Sequence, residues 1–198
     1  MNNLLMEDIL AQGDNLRRVI RHLQGPEESA LRKAARFLRT GKPTLLIGMG
    51  SAAYLCMPAE AYLGQHGYPA MVMNASDALY TYWPTLSTAN VVLNTRSGRT
   101  VEQVKLAKRL VEADLPFVVV TNEPESPVAK LATHVVWTHS RKDDLVSINI
   151  VTAMMTTMLL LVVEMVGEMD ALRPALTTLG DAMDETVACA CARADELA

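Results

Sequence analysis

The spacing of hydrophobic residues changes along the chain, being helical at both ends and continuous over short runs in the middle. In residues 1–41, apolar side chains recur at helical spacing and predict two helices separated by Gly25-Pro26. The last third contains a long uncharged run, Leu145–Val163, and then apolar residues at helical spacing up to Val187. We therefore expect helical segments before and after a central unit.

The middle of the chain carries short apolar runs that do not alternate with polar residues. Such runs are typical of strands buried on both faces, and hence of a parallel sheet. Helical patterns at 53–66, 101–113 and 128–131 lie between most of them. We predict an α/β fold, a three-layer α/β/α sandwich with a five-stranded parallel sheet and helical N- and C-terminal extensions. The predicted strands are Thr44–Ile47, Pro69–Met73, Asn90–Leu93, Phe117–Thr121 and His134–Thr138.

The uncharged run Leu145–Val163 is long enough to span a bilayer. Polar residues such as Asn149 and Thr156 interrupt it, and Glu164 follows it where Lys or Arg would be expected beside a membrane. A helix that is apolar all round also suits the interior of a large core or of a dimer. We predict a buried helix and no membrane partner.

Composition limits the function classes. The net charge of −4 argues against a nucleic-acid-binding surface. The cysteine count is odd, at 3, and the N-terminus lacks the basic region of a signal peptide, so we expect a reducing, cytoplasmic location. No histidine lies near Cys189 and Cys191, and we expect no metal site.

In an open parallel sheet, ligands bind at the carboxyl ends of the strands. The first such loop is Gly48-Met49-Gly50-Ser51, whose glycines would let the backbone approach a ligand. Ala53 replaces the third glycine of a dinucleotide fingerprint, and no acidic residue ends the second strand to bind a ribose. We expect no dinucleotide and no other cofactor.

The loop after the third strand, Thr95-Arg96-Ser97-Gly98-Arg99-Thr100, concentrates hydroxyls and arginines before a helical pattern. Hydroxyls and backbone N–H groups at a helix start are what a phosphate monoester needs. The same residues could instead cap the helix, with Thr100 and Gln103 as a capping box. Spacing alone leaves both interpretations open.

Three motifs in this order resemble the sugar isomerase (SIS) domain family. Its G-x-G-[ST]-S turn is matched by Gly48–Ala52, its S-x-S-G-x-T loop by Thr95–Thr100, and its T-N-x-x-x-S-P-[VL]-A stretch by Thr121–Ala129. The resemblance covers about residues 5–170 and is strongest to the first SIS half of the isomerase part of glucosamine-6-phosphate synthase and related phosphosugar isomerase/deaminases. It implies a flavodoxin-like fold and a single SIS domain over 1–198, with segments 1–41, 42–167 and 172–197.

The resemblance also implies a site for a phosphorylated sugar. A looser match of the family's E-x-x-V-A-[SM]-T loop places Asp143, Val146, Ser147 and Asn149 on it. The binding residues implied in this way are Gly50, Ser51, Thr95, Arg96, Ser97, Gly98, Thr100, Val146 and Ser147.

The chain departs from the family pattern at three positions. Ala52 replaces a hydroxyl, and Arg96 and Arg99 replace the usual Gln and Glu. Cationic replacements could strengthen phosphate attraction or reflect a different ligand.

Isomerisation of an aldose to a ketose needs a base and an acid. We considered Glu60, His66 and His139 and prefer His139 and Glu60 as catalytic residues, against capping or surface roles. His22 and His134 are interpreted as structural.

We expect a protein that binds a phosphorylated sugar or amino sugar and catalyses, or derives from, aldose–ketose isomerisation, with or without deamination. The alternatives are a non-catalytic sugar-phosphate sensor and the N-terminal half of a two-SIS isomerase. We expect a homodimer or tetramer through the 146–163 helix, which needs cover.

Overall fold

The computed structural model describes residues 4–197, with side chains described for residues 4–193. Its centre is a five-stranded parallel sheet in the order β2-β1-β3-β4-β5. The strands are β1 (Thr44–Gly48), β2 (Ala70–Asn74), β3 (Asn90–Thr95), β4 (Val118–Thr121) and β5 (His134–Trp137). The predicted fold class and all five predicted strands are confirmed.

Helices cover both faces of this sheet. They are α1 (Leu4–Leu10), α2 (Gln12–Leu23), α3 (Glu28–Leu38), α4 (Ser51–Tyr54), α5 (Met57–Gln65), α6 (Ala75–Tyr80), α7 (Trp83–Leu86), α8 (Val101–Glu112), α9 (Asn149–Val166) and α10 (Met169–Leu197). A short 3-10 helix, Ala129–Leu131, precedes β5. Several helices differ from the predictions: α1 and α2 were expected as one helix, α4 and α5 likewise, and α6 and α7 were not predicted. The last helix, predicted over 172–197, begins at Met169.

Alternate residues of the strands build two separate cores. In β1, Leu46 faces the layer of α2, α3, α5 and α9, whereas Leu45 and Ile47 face the layer of α6, α7 and α8. All residues of β1, β3 and β4 are buried. This burial on both sides explains why these strands lack polar alternation.

The outer strands β2 and β5 each have one edge without a neighbouring strand. At each of these edges a backbone N–H donates to a glutamate side chain. The N–H of Val72 in β2 donates to Oε1 of Glu60 at 2.9 Å. The N–H of Trp137 in β5 donates to Oε1 of Glu27 at 3.0 Å. Both carboxylates therefore satisfy backbone donors that the sheet leaves open.

Helix α9 is the long apolar segment of the chain and lies within the fold. Among the described residues it is the one helix long and apolar enough to cross a bilayer, and 67% of it is buried inside the protein. It packs against α2, α3, α5 and β4 of the same chain. The predicted burial is confirmed, although the helix runs over 149–166 rather than 146–163. An oligomer through this helix stays a prediction. It was expected because the helix needed cover, and elements of the same chain supply much of that cover.

Candidate active site

The loop after β3 is a compact turn built around Gly98. Thr95 is buried, and its Oγ1 accepts a hydrogen bond from the N–H of Gly98 at 3.2 Å. Gly98 has φ +58°, and a Cβ at this position would lie 2.0 Å from Oγ of Ser126. Only glycine fits here, because a side chain would be strained by the backbone and blocked by the next loop. The loops after β3 and β4 are thus locked together.

The capping box that the sequence left open at the start of α8 does not form. Thr100 stands at the N-cap position, but its side chain makes no capping hydrogen bond. Gln103 instead lies on the buried face of α8, where its Nε2 donates to the carbonyl of Asn94 at 2.8 Å. Among the described residues, no side chain bonds to the first N–H groups of α8 at the Thr95–Thr100 turn, and such groups favour an anion.

A cavity of about 290 Å³ opens at the carboxyl ends of β3, β4 and β5. It brings the predicted residues Arg96 and Ser97 together with residues from the two following loops and from α9. Three of its side chains are basic and two are acidic, so the lining carries a positive excess. The other lining residues are Asn122, Glu123, Ser140, Arg141, Lys142, Asp143 and Ile150.

The loop formed by residues 139–144 builds one wall of this cavity and is tied to its neighbour. The N–H of Ser140 donates to Oδ1 of Asn122 at 2.7 Å, and Nδ2 of Asn122 donates to the carbonyl of Ser140 at 3.2 Å. This reciprocal pair fixes the loops after β4 and β5 against each other.

The N-terminal helices anchor the same loop. Asn15 of α2 is buried, accepts the N–H of Arg141 at 2.8 Å, and donates from Nδ2 to Oγ of Ser140 at 3.0 Å. Asp8 of α1 is fully buried, accepts the N–H of Asp144 at 2.9 Å, and pairs with Nη2 of Arg141 at 3.3 Å. A buried carboxylate needs such partners, so these contacts hold the wall in place.

Asp143 lines the cavity but serves helix α9. Its Oδ1 accepts the backbone N–H of Asn149 at 2.8 Å and the side-chain Nδ2 of Asn149 at 2.9 Å. Its Oδ2 accepts the N–H of Ile150 at 3.1 Å. The carboxylate thus neutralises the positive end of α9 and satisfies its first donors.

The predicted residues Val146 and Ser147 lie in the exposed segment before α9. Arg96 reaches this segment, donating from Nη1 to Oγ of Ser147 at 2.7 Å. Val146 is 55% exposed and does not line the cavity.

The first loop lies between β1 and α4, at the carboxyl end of β1. The strands β2 and β3 lie on opposite sides of β1 in the sheet. Gly50 has φ +57°, and its N–H donates to Oδ1 of Asn74 at 3.3 Å. Nδ2 of Asn94 in β3 donates to the carbonyl of Ala52 at 2.8 Å, which joins this loop to the end of β3. Ser51 is exposed, and neither Gly50 nor Ser51 lines the cavity described above.

His139, the preferred catalytic candidate, faces α2 and not the cavity. Its ring stacks on His22 with centroids 4.3 Å apart and meets Trp137 edge-on at 4.3 Å. Nη2 of Arg18 lies 3.0 Å from its Nε2; a guanidinium only donates, so Nε2 accepts and the ring proton sits on Nδ1. Burial, followed by the charge of Arg18, lowers the pKa of His139 below its ordinary value.

The other two candidates also lie away from the cavity. Glu60 is bonded to the N–H of Val72 and lines a second cavity of about 390 Å³ beside β2. His66 follows the end of α5, where its Nδ1 lies 2.7 Å from the carbonyl of Tyr62 and its Nε2 lies 3.1 Å from Glu168. The catalytic roles of His139 and Glu60 therefore stay predictions that the contacts of these side chains do not support.

Sequence reasoning named the right loops but missed most of the residues in the cavity. Asn122, Glu123, Ser140, Arg141 and Lys142 directly follow β4 or β5, and that position was the available signal. The contacts of Asp8 and Asn15 could not be predicted from local sequence patterns, because their partners are more than a hundred residues away in the sequence.

Comparison with known proteins adds family information to this geometry. Residues 37–164 match the model of the SIS domain family. Arabinose 5-phosphate isomerase KdsD of Pseudomonas aeruginosa is 29% identical over 102 residues, which are 50% of this chain and 31% of that protein. The chain thus spans about a third of this curated relative.

Solved structures share the fold. The C-terminal domain of glucosamine-fructose-6-phosphate aminotransferase from Francisella tularensis matches with a TM-score of 0.75 at 14% identity, covering 95% of this chain and 54% of that one. An Escherichia coli protein solved in complex with arabinose 5-phosphate matches with a TM-score of 0.70 at 16% identity, covering 89% of this chain and 98% of that one. The family match spans well over half of the sequence and includes the three strand-end loops that build the cavity, so the chain belongs to the SIS domain family.

Proposed function

We propose that this chain binds a phosphorylated sugar at the carboxyl end of β3, between the crevice beside β1 and the cavity toward β5, and interconverts its aldose and ketose forms. The observation that carries the proposal is the Thr95–Thr100 turn, which stands beside a cavity with a positive excess and leaves the start of α8 uncapped by side chains. Hydroxyls, free N–H groups and cations together suit a phosphate monoester.

Topology supports this position for a ligand. The chain leaves β1 toward β2 on one side and returns to β3 on the other, so the crevice between β1 and β3 is the switch point of the sheet. The Gly50 loop and the Thr95–Thr100 turn lie at the two sides of that crevice. The similarity to KdsD and to a protein solved with arabinose 5-phosphate makes a pentose phosphate the first ligand to test.

The test is calorimetry with arabinose 5-phosphate, glucosamine 6-phosphate and fructose 6-phosphate, followed by NMR detection of the isomeric product. Ser97→Ala and Thr100→Ala should each weaken binding about tenfold or more, since each removes a hydroxyl from a charged ligand. Ser87→Ala is the matched control, because its hydroxyl bonds only to the nearby carbonyl of Pro84.

A non-catalytic sugar-phosphate sensor is the second candidate. It is favoured by Ala52, Arg96 and Arg99, where the chain departs from the family's hydroxyl, Gln and Glu. Tight binding without any isomer formed would select the sensor. Unchanged affinity in Ser97→Ala and Thr100→Ala would overturn the binding site itself.

A further inference from the structure

Isomerisation needs a group that removes a proton from carbon, and two carboxylates line the cavity: Glu123 and Asp143. Both oxygens of Asp143 are occupied by donors at the start of α9, at 2.8–3.1 Å. These three donors all belong to the start of α9, so the carboxylate is engaged in capping that helix. Asp143 is therefore a structural cap.

The other acid and base candidates are also engaged outside the cavity. The carboxylate of Glu60 accepts the N–H of Val72 in β2, and Nε2 of His139 accepts from Arg18 of α2. Neither lines the cavity that holds Arg96 and Ser97.

Glu123 differs from all of these. Its backbone is fixed, because its N–H donates to Oγ1 of Thr121 at 3.1 Å, directly after β4. Its exposed side chain has no hydrogen bond or ion pair within the part of the chain that the structure describes. We infer that Glu123 is the base of the proposed isomerisation, and this inference rests on the proposed function.

The step balances without a co-reactant. The carboxylate of Glu123 takes the proton from C2 of the open-chain aldose phosphate; the C2–H bond breaks, a C1–C2 double bond forms, and the carbonyl electron pair moves to O1. The carboxylic acid then returns its proton to C1, while the O2 proton passes to O1, so that O1 becomes a hydroxyl and O2 becomes the ketose carbonyl. Lys142, which lines the same cavity, supplies a cation for the oxygen that becomes negative.

The test compares Glu123→Gln with Glu125→Gln in the full chain. Glu125 is a matched control, because it is also exposed, lies two residues away, and pairs with Lys130 at 3.6 Å outside the cavity. Exchange of the C2 hydrogen of arabinose 5-phosphate and of glucosamine 6-phosphate is followed by NMR in D₂O, and affinity by calorimetry.

We expect Glu123→Gln to slow exchange and isomer formation by about a hundredfold or more while affinity changes less than about threefold. Glu125→Gln should keep both. Turnover by Glu123→Gln at the wild-type rate would overturn the assignment and leave the isomerase intact. Binding without exchange in the wild-type protein would overturn it and select the sensor, and absence of binding would overturn the proposed function together with it.

Discussion

Arg96 and Ser147 are joined by a hydrogen bond of 2.7 Å between Nη1 and Oγ, which links the turn after β3 to the segment before α9. Both side chains are exposed, so the bond contributes little to stability. It does hold the Arg96 guanidinium at the cavity, where no carboxylate of the described residues pairs with it. A bound phosphate would be a stronger acceptor than a hydroxyl.

Arg96→Met should therefore weaken binding of arabinose 5-phosphate about tenfold or more, because a charge-assisted contact is lost. Calorimetry at low and moderate salt measures this, and the salt dependence should become shallower. Arg99→Met is the control, since Arg99 lies in the same turn but does not line the cavity. Equal losses in the two variants would contradict a specific role for Arg96.

Gly98→Ala should destabilise the protein more than Gly41→Ala does. Both glycines have positive φ, of +58° and +77°, but a Cβ at 41 meets nothing within 4 Å. We expect a loss of about 1–2 kcal/mol in the free energy of unfolding from backbone strain at Gly41. At Gly98 the collision with Ser126 adds to that strain.

Urea unfolding followed by circular dichroism measures both glycine variants. Adding Ser126→Gly to Gly98→Ala removes both colliding atoms and should recover part of the loss. If the double variant were no more stable than the single one, packing between the two loops would not be the cause.

Asn15→Ala should loosen the cavity wall formed by residues 139–144. It removes the acceptor of the Arg141 N–H and one of the partners of the Ser140 hydroxyl, which costs about 1–3 kcal/mol of unfolding free energy. Phosphosugar affinity should fall with it, because Ser140 and Arg141 line the cavity. Gln12→Ala, whose amide bonds only to the carbonyl of Ile9, should leave affinity unchanged.

Stability should fall on acidification because of the stacked rings of His22 and His139. Burial, then the nearby His139 and Arg18, lower the pKa of His22, and burial and Arg18 lower that of His139. As the pH falls below 6.5, the ordinary pKa of histidine, the unfolded chain binds protons more readily than the folded protein does. The free energy of unfolding is therefore highest above pH 6.5 and decreases as the pH falls below it. Glu27 has the opposite effect on stability. Burial raises its pKa above 4.5, so its protonation at low pH favours the folded state.

The urea midpoint of wild type and His139→Asn, at about pH 7.5 and about pH 5.5, separates these contributions. Asparagine tolerates the φ of +57° at this position. The wild-type midpoint should drop more on acidification than that of His139→Asn. Equal drops would mean that the stacked pair does not govern the acid sensitivity.

The sequence-based prediction of the sheet succeeded because its strands are buried on both faces. A run such as Val91–Leu93 has no polar alternation, but it is short, rich in β-branched residues and bounded by polar residues, and these features indicate a buried strand. Helices α6 and α7 were missed because they have only 6 and 4 residues, too few for a helical period to emerge. The part of the site at the strand ends was predicted, because a parallel sheet brings those loops to one edge. The contact between Asp8 and Arg141 was not predicted, because 133 residues separate them in the sequence.

Glu27 and Glu60 occupy the outward N–H groups of Trp137 and Val72, one at each side of the sheet. An incoming strand from another molecule would have to displace a carboxylate and bury its charge before it could extend either end of the sheet. The protein thus carries its own protection against fibre growth, and replacing both glutamates by alanine should make a folded, concentrated solution prone to aggregation.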